Sequence, residues 1–70
     1  MRARIVEIME SYPVALKLEL QDGSLRSFDT NESCRVYRHG RQIPMNELGH
    51  CSVDIVLSNR NDITEISVLE

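Results

Sequence analysis

Apolar and polar residues alternate with a period of two through most of this chain. Val14, Leu16, Leu18 and Leu20 are separated by Ala15, Lys17 and Glu19. Successive side chains of a strand point to opposite faces, so this run places four aliphatic side chains on one face. The pattern predicts a half-buried β-strand that ends near residue 20.

An Asp-Gly pair follows this run. Asp22-Gly23 suits the positive φ angles of a two-residue hairpin turn, so Ser24 to Asp29 should return antiparallel. In the returning strand Leu25 and Phe28 differ in parity. We expect a β-bulge near residues 26–27, which would turn both side chains inward.

The C-terminal third predicts a second hairpin. Residues 53–57 and 63–68 each alternate, and residues 59–62 between them are rich in turn formers. In the last strand the alternation puts Ile66 and Val68 on the inner face and Ile63 on the opposite one. This hairpin would contribute the second half of an antiparallel sheet.

The remaining segments are shorter. Arg4 to Met9 predicts a strand with apolar residues on both faces, which suggests either a strand covered on both sides or a closed barrel. Cys34 to Tyr37 predicts another short strand before a tight turn at Gly40. A single helical turn is expected near residues 45–48, because a proline precedes it and a glycine ends it.

Together these elements predict an all-β fold, a small five- or six-stranded antiparallel barrel of hairpins. Closure suits a chain this short, because it removes exposed strand edges. Residues 1–68 form one domain in this interpretation, and Leu69-Glu70 resembles a cloning junction. The predicted core is Val6, Ile8, Leu16, Leu18, Phe28, Val36, Leu48, Val53, Ile55, Leu57, Ile66 and Val68.

Composition narrows the class of protein. The chain has 70 residues, a net charge of -3 and three aromatic residues. It is too short for a crossover nucleotide-binding sheet, and no apolar run approaches the roughly 18 residues of a membrane helix. We therefore expect no membrane insertion and a monomeric domain, and the negative net charge disfavours nucleic acid as a partner.

Cys34 and Cys51 allow three interpretations. A disulfide would staple a small domain, and His39 and His50 would complete a Cys2His2 set for zinc. The order of these four residues matches no standard zinc motif, however, and the cysteines form no CxxC pair. We favour two free thiols that pack as small apolar side chains.

Catalysis is not expected. Glu7, Glu19, Asp54 and Glu65 alternate with apolar residues, which places them on solvated strand faces. No nucleophile lies in a strained elbow, and the three glycines are isolated rather than gathered in a phosphate-binding loop. We predict no enzyme activity and no cofactor.

One local cluster of charge stands out. Arg35, Tyr37, Arg38, His39 and Arg41 fall within seven residues. Basic side chains beside an aromatic ring can bind single-stranded nucleic acid, because the ring stacks on a base and the cations contact phosphates. The alternative is a solvated hairpin loop whose arginines balance nearby acids, and we favour it, since stacking platforms normally need several rings.

Several motifs occur in an order that resembles a known family. Along the chain they are Asp22-Gly23-Ser24, Phe28-Asp29-Thr30, Cys34-Arg35-Val36-Tyr37, Gly40, Ile43, Met45-Asn46-Glu47-Leu48-Gly49, Val53-Asp54-Ile55-Val56-Leu57 and Asp62-Ile63-Thr64-Glu65-Ile66-Ser67-Val68. This order resembles the small β domain that recurs in surface proteins of Gram-positive bacteria, including those with S-layer homology domains. The motifs are turn and core patterns that cover nearly the whole chain.

The resemblance implies a non-catalytic structural or interaction module of a larger protein at the bacterial cell surface. Neighbouring domains or cell-wall components would be its partners, and no functional residues carry over. The chain departs from the family pattern at three points. His39-Gly40 replaces the usual Asn-Gly turn, Gly49-His50 replaces a Gly-Asp pair, and two cysteines are present.

Two other functions fit the pattern. The first is a nucleic-acid-binding barrel that uses the basic loop, residues 35–41. The second is a module that docks a peptide along an unpaired strand edge.

Overall fold

The fold is all-β, as the alternation predicts. The computed structural model describes the whole chain, Met1–Glu70. Its elements are β1 (Arg2–Met9), β2 (Ala15–Leu20), β3 (Leu25–Arg38), β4 (Arg41–Ile43), a 3-10 turn (Met45–Glu47), β5 (Ser52–Leu57) and β6 (Ile63–Val68). The 3-10 turn confirms the helical turn expected there. No helix has the length and hydrophobicity needed to span a bilayer.

Five of the six strands close into a ring. The order is β1-β2-β3-β6-β5, and β5 pairs back with β1. The short strand β4 is added to the outer edge of β3. The small barrel is therefore confirmed, but one of its pairings differs from a barrel made only of hairpins, because β3 and β6 run parallel.

β3 joins the two halves of the barrel. The sequence pattern suggested separate strands over Ser24 to Asp29 and Cys34 to Tyr37, but the backbone stays extended through all 14 residues. Its first half pairs with β2 and its second half with β4 and β6. The alternation breaks because the register shifts between Thr30 and Arg35.

The turn between β2 and β3 contains three residues rather than two. The N–H of Gly23 donates to the carbonyl of Leu20 at 2.9 Å, and the N–H of Leu20 donates to the carbonyl of Ser24 at 2.8 Å. Gly23 has a φ of 87°, which glycine adopts without steric cost. This is the three-residue hairpin in which a left-handed glycine follows a tight turn.

The bulge expected near residues 26–27 is absent. Ala15 to Glu19 pair with Asp29 to Leu25 in unbroken register. Leu25 consequently faces outward and is 53% exposed, whereas Phe28 is buried. The prediction that both face inward was wrong, because the strand kept its alternation and left one leucine in solvent.

Bulges occur instead in β1 and β6. Ile5 pairs with Leu18 and Glu7 with Lys17, so Val6 is an extra residue. Ile5 is therefore fully buried and Val6 only partly, which corrects the predicted inward position of Val6. Beyond the bulge, Ile8 packs against the core from a half-buried position.

The β5–β6 hairpin repeats this arrangement. Val56 pairs with Glu65 and Leu57 with Ile63, which leaves Thr64 as the extra residue. Ile63 turns inward and is fully buried, contrary to the alternation. Leu57 packs against the core but is only half-buried.

One continuous cluster fills the barrel. The other predicted core residues are buried, and the barrel also buries residues that the pattern did not select. These additional residues are Ala3, Ile5, Ala15, Thr30, Cys51 and Ile63. The Thr30 hydroxyl donates to the carbonyl of Val14 at 2.7 Å, which satisfies the only buried polar side chain.

Candidate interaction surface

The basic loop forms the hairpin between β3 and β4. Arg38 pairs with Arg41 on either side of the two-residue turn His39-Gly40. His39 has a φ of 53° and Gly40 a φ of 76°, the positive angles of a type I′ turn. The hairpin therefore projects two arginines from adjacent strands beside a strongly curved tip.

The five candidate residues do not form one patch. Val36 is buried, so the alternation along β3 turns Arg35 and Tyr37 to the outer face of the barrel. Arg38 and Arg41 lie on the opposite face of the hairpin, and His39 occupies the tip. A ligand on one face would meet either the tyrosine or the Arg38–Arg41 pair.

Polar side chains surround Tyr37 on the outer face. Ser67 of β6 is directly opposite it on one side and Gln42 of β4 on the other. Arg35 is opposite Glu65 in the same parallel pairing. We call these five residues the Tyr37 face. A shallow depression of about 500 Å³ lies between Tyr37, His39, Glu65 and Ser67.

The Tyr37 face contains residues that sequence reasoning missed. Glu65, Ser67 and Gln42 are not among the sequence-based candidates, and 29 residues lie between Arg35 and Glu65. The parallel pairing of β3 and β6 brings them together. Only that long-range pairing identifies Glu65 and Ser67, whereas Gln42 follows from the local β3–β4 hairpin.

The other side of the hairpin carries like charges. Arg38 and Arg41 are cross-strand partners, an arrangement that disfavours the hairpin unless an anion is near. Both line a second depression of about 480 Å³, together with Gln42, Pro44 and Glu47. Neither arginine forms a salt bridge, since the only one in the structure joins the Met1 ammonium to Asp54 at 2.9 Å.

The strand edges give little support to peptide docking. β4 has only three residues, and Arg41 begins it while Pro44 follows it. Short, charged edges that end at proline resist further pairing. A second unpaired edge lies in the first half of β3. Residues 25–29 pair with β2 on one side and with no strand on the other. There Arg26, on the inner face, lies over the Phe28 ring with its Cζ 5.2 Å from the ring centroid.

Both cysteines are free thiols. Burial, with the nearby Asp62 and Glu65 carboxylates, raises the pKa of the Cys34 thiol to about 11. Burial also raises the pKa of Cys51, whose Sγ–H points to the Gly49 carbonyl at 3.5 Å. Neutral thiols are poor nucleophiles and poor metal ligands. No three His, Cys, Asp or Glu side chains are grouped to hold a metal ion.

The carboxylates of the strands lie on exposed outer positions, as predicted for Glu7, Glu19, Asp54 and Glu65. Asp62 is the one carboxylate bound by two side chains. Ser58 Oγ donates to its Oδ1, and Asn31 Nδ2 donates to its Oδ2 at 3.1 Å. These hydrogen bonds lower the pKa of Asp62 and tie the β5–β6 turn to β3.

No protein-family model matches the chain, and no curated protein or solved structure shows significant similarity to it.

Proposed function

We propose that this chain is a non-catalytic structural or interaction module, a domain of a larger protein at the bacterial cell surface. The observation that carries the proposal is the division of the side chains between the core and the surface. Most aliphatic side chains belong to one barrel core, and the polar groups that gather together lie on an open sheet face rather than in a cleft. Open faces suit contact with a partner.

The resemblance to surface-protein domains supports the cell-surface part of the proposal. The motifs that carry it coincide with structural elements: Gly23 and Gly40 lie in hairpin turns, and residues 62–68 contain the closing strand. These motifs therefore serve folding, which is consistent with a module that spaces or connects other domains.

Localisation of the native protein tests this proposal. Antibodies to the domain should detect it in the cell-wall fraction, and protease added to intact cells should remove the signal. A protease-sensitive cytosolic protein serves as the marker for intact cells, because it survives only if the protease stays outside. Recovery of the domain only with that marker would contradict the surface assignment.

Nucleic-acid binding is the second candidate. Arg35 and Tyr37 share the outer face, where a base could stack on the ring while the guanidinium contacts a phosphate. Arg38 and Arg41 point to the other face, so a bound strand would have to pass around the hairpin. The test is amide-shift titration with a single-stranded oligonucleotide, in which phosphate contacts would make the affinity fall steeply with salt. No shift at low salt would remove this candidate.

A further inference from the structure

The polar side chains of the Tyr37 face have no partner within the molecule. Fourteen hydrogen bonds in the structure involve a side chain or the N-terminal ammonium. None of them involves a side chain of the Tyr37 face, which consists of Arg35, Tyr37, Gln42, Glu65 and Ser67. Arg35 and Glu65 are cross-strand neighbours and still form no salt bridge. Their donors and acceptors are therefore available to a ligand.

The geometry gathers these groups around one ring. Side chains directly opposite on paired strands lie roughly 5 Å apart at Cβ, and diagonal neighbours about 7–8 Å apart. Ser67 and Gln42 flank Tyr37 on its two sides, and Arg35 lies two residues before it on the same face. Ser67 is small, which leaves the depression beside the ring open.

The charges of the face cancel. Arg35 contributes one positive charge and Glu65 one negative charge, and the other members are neutral. A polyanion gains affinity mainly by neutralising its phosphates with several cations, which this face does not offer. The face therefore favours a neutral ligand with many hydroxyl groups.

We infer that the Tyr37 face binds a neutral oligosaccharide, with one sugar ring against Tyr37. This inference rests on the proposed interaction module and gives it a class of partner. A pyranose ring has an apolar face of C–H groups that packs on an aromatic ring. Its adjacent hydroxyls match planar groups that donate or accept in pairs, here the guanidinium of Arg35, the carboxylate of Glu65 and the amide of Gln42.

The test is an amide-shift titration of the 70-residue chain with three neutral hexasaccharides, of glucose, mannose and N-acetylglucosamine. At least one should give saturable shifts confined to β3, β4 and β6, with millimolar or tighter affinity that is unchanged between low and high salt. Failure of all three to shift these residues at millimolar concentration would overturn the inference.

Matched variants assign the binding to the face. Tyr37→Ala should weaken it at least tenfold, and Tyr37→Phe should retain most of it because the ring remains. Tyr12→Ala removes an aromatic residue that is 88% exposed in another loop and should change nothing. A melting curve for each variant establishes that it is folded, and binding that survives in folded Tyr37→Ala would contradict the inference.

The same samples separate this inference from the proposed function. Mass spectrometry of the sugar after incubation detects cleavage, which would contradict a non-catalytic module. If neither binding nor cleavage is detected, only the sugar inference is contradicted, and the proposed function is not. Shifts on the same face that appear with an oligonucleotide, and decline with salt, would overturn the sugar inference in favour of nucleic acid.

Discussion

Val36 and Ile66 lie directly opposite each other across the parallel pairing of β3 and β6, and both are buried. Ile66 is fully buried and also pairs with Ile55 of β5. Because it packs where three strands meet, Ile66→Ala should cost about 2–5 kcal/mol in the free energy of unfolding. A domain of this size has only a few kcal/mol in total, so the variant should be largely unfolded at 37 °C.

Circular dichroism melting curves would measure this loss. Val56→Ala is the matched control, since Val56 lies in the adjacent strand but is 53% exposed. It should change stability by less than about 0.5 kcal/mol. Equal losses in the two variants would argue against the closed ring.

Much of this barrel was predictable from local patterns. Alternation located β1, β2, β5, β6 and the two ends of β3, but not that β3 is continuous. Gly40 located the β3–β4 turn, and the proline and glycine around residues 45–48 located the 3-10 turn. The two bulges were not predictable, because Val6 and Thr64 have ordinary strand chemistry. Whether such a residue becomes the unpaired residue of a β-bulge depends on the register with the partner strand, which local sequence does not specify.

The candidate surface likewise has one part that local alternation predicts and one part that depends on long-range pairing. Alternation alone could have separated Arg35 and Tyr37 from Arg38, since the first two are an even number of residues apart. The charge cluster is one patch only along the sequence, because alternate residues of a strand face opposite sides. Glu65 and Ser67 could not be added, because their position beside β3 depends on a parallel pairing between distant segments.

The orientation of Leu18 and Leu25 gives a sharp test of register. Leu18 is fully buried, whereas Leu25, in the neighbouring strand, is 53% exposed. Leu18→Asp would bury an unpaired carboxylate, so we expect the domain to unfold. Leu25→Asp should leave the melting temperature within a few degrees of the parent. A cooperative melt in Leu18→Asp, or unfolding in Leu25→Asp, would contradict the register of β2 and β3.

The His39-Gly40 turn can be improved. His39 has a φ of 53°, a conformation that asparagine tolerates better than most residues. His39→Asn should therefore stabilise the domain by about 0.5 kcal/mol, which raises the melting temperature by roughly 2–4 °C. A lower melting temperature would argue against a type I′ turn.

Gly40→Ala is the complementary variant. No atom lies within 4 Å of the position a Cβ would occupy, so any loss must come from the φ of 76°. We expect a destabilisation of about 1 kcal/mol.

Asp62 should make stability depend on acid pH. Hydrogen bonds from Ser58 and Asn31 lower its pKa in the folded state below the ordinary 3.8. The unfolded chain then binds the proton more readily, so the stabilisation is present above pH 3.8 and is lost as pH falls through the folded pKa. Asp62→Asn keeps one acceptor instead of two, and should melt at a lower temperature than the parent at pH 7.

Melting curves of both proteins at several pH values test the sign. The difference between parent and Asp62→Asn should narrow as pH falls below 3.8, because the parent then loses its carboxylate. Ser58→Ala retains the carboxylate but removes one donor, so its acid loss should begin at a higher pH than in the parent. A difference that widens with acid would reverse the assigned direction.

Cys34 should react slowly with alkylating agents in the folded protein. Its pKa of about 11 arises first from burial and then from the Asp62 and Glu65 carboxylates. Since the thiolate is the nucleophile, its fraction at pH 8 is about a hundredfold or more below that of an ordinary thiol. Iodoacetamide labelling followed by mass spectrometry should show slow modification in buffer and fast modification in denaturant.

Cys51→Ser isolates the Cys34 signal, and Glu65→Gln should speed the labelling of Cys34 modestly by removing one negative neighbour. Rapid labelling of Cys34 in buffer, in a protein whose melting curve is intact, would contradict the half-buried position of this thiol beside the two acidic side chains.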